Sequence, residues 1–70
     1  NYNNVHIEIT TTKSLEKLYQ TIKERGNSKI KIFINNANKK YLFELKNKRK
    51  FDYETLKSLN KEGYIKKITV

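Results

Sequence analysis

Two triplets of β-branched residues, Val5, Ile7 and Ile9 and then Ile30, Ile32 and Ile34, occupy alternate positions in a chain of only 70 residues. Side chains alternate across a strand, so each triplet lines one face of an extended segment, and His6 and Glu8, or Lys31 and Phe33, line the other. Two strands with one apolar face each must share a core, and the segment between them must cover it. There Leu15, Leu18, Tyr19 and Ile22 recur at helical spacing. Thr12 or Ser14 is available as N-cap, Glu16 sits in the first turn, Arg25 in the last, and Gly26 serves as the stop. The chain begins strand, helix, strand.

The cluster Asn35, Asn36, Ala37, Asn38 supplies a turn of about four residues. Tyr41, Phe43 and Leu45 then alternate with Leu42, Glu44 and Lys46, making residues 29–46 a hairpin. Asp52 is an N-cap residue for a second helix, with Glu54 near its positive end, Leu56 and Leu59 as its buried stripe, and Phe51 with Leu56 as a hydrophobic staple. Gly63 ends that helix, and "IKKITV" returns as a final strand with Ile68 and Val70 inward. The order βαββαβ predicts an α+β fold, a split βαβ (ferredoxin-like) sheet with both helices on one face and strands one and three parallel at its centre.

Seventy residues make one small domain, and chains of this size bury only about 60% of their unfolded surface, which argues against a deep catalytic pocket. Cysteine is absent, so neither a disulfide nor a thiolate metal site supports the core. No apolar run approaches the roughly 20 residues that span a bilayer, and no signal-peptide pattern is present. A cytoplasmic protein without a membrane partner is expected. Methionine is also absent and the first residue is Asn1, which predicts that residues 1–70 are a piece of a larger polypeptide.

The formal charge of +9 has two readings. Clustered cations gain affinity for phosphates by releasing counterions. Lys, Asn, Ile and Tyr together, however, make 36 of the 70 residues, the composition that A/T-rich codons give. Arginine, the better phosphate and guanine ligand, occurs only at Arg25 and Arg49. The run "KNKRK" places Lys46, Lys48, Arg49 and Lys50 directly before the second helix, either as a nucleic-acid contact or as a solvated loop.

Catalytic chemistry finds no foothold. His6 is the single histidine and faces away from the apolar triplet with no visible partner, whereas a general base needs geometry first. The seven carboxylates are scattered, the two glycines are isolated, and Ser14, Ser28 and Ser58 lack a nucleophile context. No cofactor, metal or small-molecule ligand is expected. Recognition at the surface remains. Phe33 and Leu42 point away from the isoleucines and form a candidate patch for a protein partner, a stacking platform of the kind sheet-based RNA binders use, or a spot covered by a further element of a parent protein or singly exposed, as surface apolar residues often are. Such a platform wants aromatics on both central strands, and strand one offers only His6.

The progression "GNSKIKIFI", "KKYLFELKNKRKFDYETLKSL", "GYIKKITV" resembles the extreme C-terminal segment of the bacterial replicative DNA polymerase III alpha subunit, particularly alphaproteobacterial forms. Leu45 to Phe51 occupy a passage that is "L-P-G-R-F"-like in the family, here without its Pro and Gly and with extra lysines. The first half, "VHIEITTTKSLEKLYQTIKERG", is similar in outline to the preceding strand and helix. The resemblance implies a non-catalytic, monomeric C-terminal interaction domain that binds the tau subunit of the clamp loader, with the polymerase's catalytic aspartates far upstream. It transfers no individual contact residue. The expected contacts are Phe33 and Leu42 for a protein partner, and Lys46, Lys48, Arg49 and Lys50 for DNA.

Overall fold

The computed structural model describes residues 2–70. β1 (Asn4–Ile9) leads through a 3-10 turn, Thr12–Ser14, into α1 (Leu15–Thr21), followed by β2 (Arg25–Asn36), β3 (Lys39–Glu44), α2 (Tyr53–Asn60) and β4 (Ile65–Thr69). The α+β class and the βαββαβ order are those the hydrophobic pattern predicts. Val5, Ile7, Ile9, Ile30, Ile32 and Ile34 are all at most 1% exposed and meet Leu18 and Ile22 of the first helical segment, Leu59 of α2, and Phe51 in one core. Both helices therefore lie on the same face of a four-stranded sheet.

Within the sheet the order is β3-β2-β1-β4. The parallel central pair is β1 with β2, in register from Asn4↔Lys29 to Ile9↔Ile34, and not strands one and three. β3 lies antiparallel at one edge and β4 antiparallel at the other. The two short helices cover the middle of the sheet, so the two fully apolar triplets belong there. β3, with Lys39, Lys40, Tyr41 and Leu42 exposed, belongs at an edge, where lysine discourages further strand pairing.

Three local readings change. Thr11 caps the 3-10 turn by accepting from the Lys13 N–H at 3.2 Å, Thr12 lies within that turn, and Ser14 holds the N-cap position of α1 without a side-chain cap bond. The hairpin turn is two residues rather than four, because Asn36 pairs with Lys39 and Ala37 takes φ 52°, the left-handed region. In β4 the ladder passes from Glu8↔Lys67 to Ile9↔Ile65, leaving Lys66 as a bulge. Strict alternation inward from Ile68 would have buried Lys66. The bulge sends Lys66 to the opposite face and packs Ile65 on the core, while Val70 stays 53% exposed.

Gly26 is not a helix stop. It lies inside β2, and its neighbour Arg25 bridges antiparallel to Arg49. A Cβ on Gly26 would sit 2.5 Å from the backbone of Lys50, so only glycine allows the two chains to approach. Gly63 has open space around it. Gly26→Ala is expected to lower stability by about 1–3 kcal/mol through overpacking, and Gly63→Ala to change it by less than about 0.5 kcal/mol. Urea midpoints of the two variants check the contrast.

Candidate interaction surface

The helices cover one face of the sheet and leave the other open. Register places the open-face residues in rows. Leu42 stands opposite Phe33, Phe33 opposite Glu8, and Glu8 opposite Lys67. One step along the strands Glu44, Lys31, His6 and Thr69 form the next row, and Lys40 with Asn35 flanks the first row on its other side. The Phe33–Leu42 pair expected from alternation is thus a direct cross-strand contact. Leu42 is 67% exposed, Phe33 is half-buried, and the two border a shallow concavity of about 330 Å³ closed by His6, Glu8, Lys67 and Thr69.

Charge on this face is mostly positive. Lys66 reaches back to Glu8 at 3.5 Å, a pairing made possible by the bulge. The spacing "IKKI" was the sequence signal for it, since isoleucines three apart break a period of two. Lys67 shares the face, and neither it nor Lys31 nor Lys40 joins an ion pair among the described residues. Sequence reasoning did not bring these lysines together with Phe33 and Leu42, because their grouping depends on strand order and on the bulge.

The basic run is divided between two roles. Residues after β3 continue beside the first half of β2: the Leu45 N–H donates to the Ile30 carbonyl at 2.9 Å, Gly26 N–H to Lys48 carbonyl at 3.3 Å, and Lys50 N–H to Glu24 carbonyl at 2.7 Å. Arg49 is half-buried and donates from Nη1 to the Ile22 carbonyl at 3.3 Å, satisfying the C-terminal end of α1, and from Nε to Asn47 carbonyl at 3.1 Å. Lys50 pairs with Glu24 at 3.6 Å and Asp52 at 4.0 Å. Among the described residues, only Lys46 and Lys48 of the four face solvent without such partners. The run is foremost a strand continuation that leads into α2.

Asp52 caps α2 as its position predicts, accepting from the Thr55 N–H and hydroxyl, each at 2.9 Å. Phe51, just before the cap, is fully buried, and Leu56 packs on the same core, the staple arrangement. No group of three His, Cys, Asp or Glu side chains that could hold a metal ion exists among the described residues, and no helix there is long and apolar enough to cross a membrane. No family model, no curated protein and no solved structure matches the chain.

Two stability measurements follow from these contacts. Arg49→Ala removes the partner of a half-buried carbonyl and is expected to cost about 1–2 kcal/mol, whereas Lys48→Ala stays within about 0.5 kcal/mol; thermal melts of both variants check the division of the run. The Asp52 carboxyl is held below its ordinary value of 3.8, first by the Thr55 N–H, then by the Thr55 hydroxyl, with Lys50 contributing less. A depressed carboxylate stabilises the fold fully above its unfolded pKa and loses that contribution as the pH falls through the lower folded value. Asn caps about as well as Asp. The stability gap between wild type and Asp52→Asn is therefore expected to be constant near neutrality and to close in acid, read as urea midpoints across a pH series.

Proposed function

We propose that the chain is a non-catalytic, cytoplasmic interaction module that docks a protein partner through the uncovered sheet face. The resemblance to the C-terminus of the polymerase III alpha subunit makes the tau subunit of the clamp loader the partner to test. One observation carries this reading: Phe33 and Leu42, neighbours across β2 and β3, form an apolar pair, Leu42 exposed and Phe33 half-buried, on a face otherwise built from polar side chains. Burying such a pair against a partner removes apolar surface from water, at roughly 25 cal/mol per Å².

The second reading is a nucleic-acid module without sequence preference. The charge of +9 and the solvent-facing Lys46 and Lys48 favour it. The partners already held by Arg49 and Lys50 weigh against the basic run as its site. The two readings differ in salt dependence. Phosphate neutralisation gives a steep linear fall of log affinity with log salt, and an apolar anchor gives a shallow one.

The test is a titration of the 70-residue chain with the C-terminal part of a tau subunit and, separately, with a short single-stranded DNA, each at low and at physiological salt. Saturable tau binding with a shallow salt dependence, lost in Leu42→Asp, is the expected result. Leu42 is 67% exposed, so the substitution costs about 1–2 kcal/mol at most, from strand preference and the lost cross-strand pair, and a urea midpoint on the variant separates loss of the surface from loss of the fold. DNA binding with a steep salt slope, untouched by Leu42→Asp and without tau binding, would transfer the function to the second reading.

A further inference from the structure

We infer that the occupant of the uncovered sheet face is an extended acidic peptide segment, with an apolar side chain seated on Phe33 and Leu42 and carboxylates engaging Lys31 and Lys40. This rests on the docking reading above and specifies the chemistry of the partner. Lys31 lies two residues before Phe33 on β2, and Lys40 lies two residues before Leu42 on β3. Because β3 runs antiparallel to β2, the two lysines flank the apolar row on opposite sides. Residues two apart on a strand are separated by about 6.6–6.8 Å. An extended peptide has the same repeat. An apolar residue with an acidic residue two positions before and two after it therefore presents all three groups to their partners at once.

The cations await such a ligand, since neither Lys31 nor Lys40 joins an ion pair among the described residues. Lys67 adds positive potential at the far end of the central row, while Lys66 is committed to Glu8. A nucleic-acid strand fits this face less well. Its phosphates form a continuous anionic track, and here Glu8 separates Phe33 from Lys67 while Glu44 stands beside Lys31. These rows contain one phenyl ring, one imidazole and no arginine, whereas single-strand binders line their groove with several rings and cations. A peptide can place an uncharged residue beside Glu8, whereas a phosphate backbone carries a charge at every step; Glu44 faces Lys31 in either case.

The experiment uses a fluorescein-labelled peptide in which serines separate an aspartate, a leucine and a second aspartate, titrated into the 70-residue chain and followed by anisotropy and amide chemical shifts. Comparison probes carry lysine for aspartate, or serine for leucine, and a short oligothymidylate completes the set. The aspartate peptide is expected to bind with shifts confined to β2 and β3, and to lose about tenfold or more in affinity with Leu42→Ala. It should lose a similar factor in the double variant Lys31→Glu with Lys40→Glu, which in turn should bind the lysine peptide. Silence of the aspartate peptide alongside tau binding that needs Leu42 would overturn the acidic chemistry and leave the docking reading intact. Oligothymidylate binding on the same strands, with the peptide silent, would overturn both. Peptide binding indifferent to Leu42 and to the lysine reversal would also overturn the inference.

Discussion

The parallel pairing of β1 with β2 is the constraint on which the other features depend. Its six core side chains are essentially removed from water, and complete burial of an aliphatic side chain contributes about 1.5–3 kcal/mol. Caps and turns contribute about 1 kcal/mol each, so no local preference can displace these strands from the middle of the sheet. Parallel neighbours need a crossover of a dozen residues or more. Residues 10–24 supply it and carry Leu18 and Ile22 over the same triplets. With the centre taken, β3 and β4 are left to the edges, and their more polar residues are tolerable there.

Two features adapt a sequence that would otherwise conflict with that arrangement. Alternation alone would turn Lys66 toward the core, and burial of an uncompensated ammonium is prohibitive. The bulge removes the conflict by one unpaired residue, gains Ile65 for the core and an ion pair with Glu8. At the other end of the sheet, β2 extends four residues beyond its pairing with β1, from Arg25 to Ser28, and the segment after β3 closes against it. The close approach at Gly26 and the hydrogen bond from Arg49 to Ile22 hold that segment. A cluster of cations that looks in sequence like an anion grip is therefore half consumed in fixing how the chain enters α2.

Legibility followed the range of the interaction. Elements defined by their own periodicity, such as β1, the stripe of α1 and the Asp52 cap with its Phe51 staple, were readable because their signals lie within a few residues. Strand order was not, since the same hydrophobic pattern suits a sheet with β3 inside. The deciding quantity is how apolar Ile30 to Ile34 are relative to Tyr41 to Leu45 once two short helices can cover only two strands fully. Gly26 was misread for a related reason: a glycine after a helical pattern looks like a stop, and its true neighbour, Lys50, is 24 residues away. The Phe33–Leu42 pair was legible because hairpin partners are local. Its lysine surroundings were not, because Lys67 reaches that face only across β1.

A two-layer domain of this length has helices for one side of its sheet and none for the other, so the character of the open side decides what the molecule can meet. Most of it follows the ordinary solution, with charged and amide side chains in water. Phe33 and Leu42 depart from that solution on adjacent strands and in direct contact, and no requirement of the core explains them, because the core triplet of β2 is complete without Phe33. The revised strand order sharpens the point. With β1 and β2 at the centre, the middle of the open face offers His6, Glu8, Lys31 and Phe33, one phenyl ring and one imidazole set among charged side chains. Phe33 and Leu42 are thus an apolar pair that core packing does not require, with Lys31 and Lys40 on opposite sides of it, and this juxtaposition is what the docking proposal rests on.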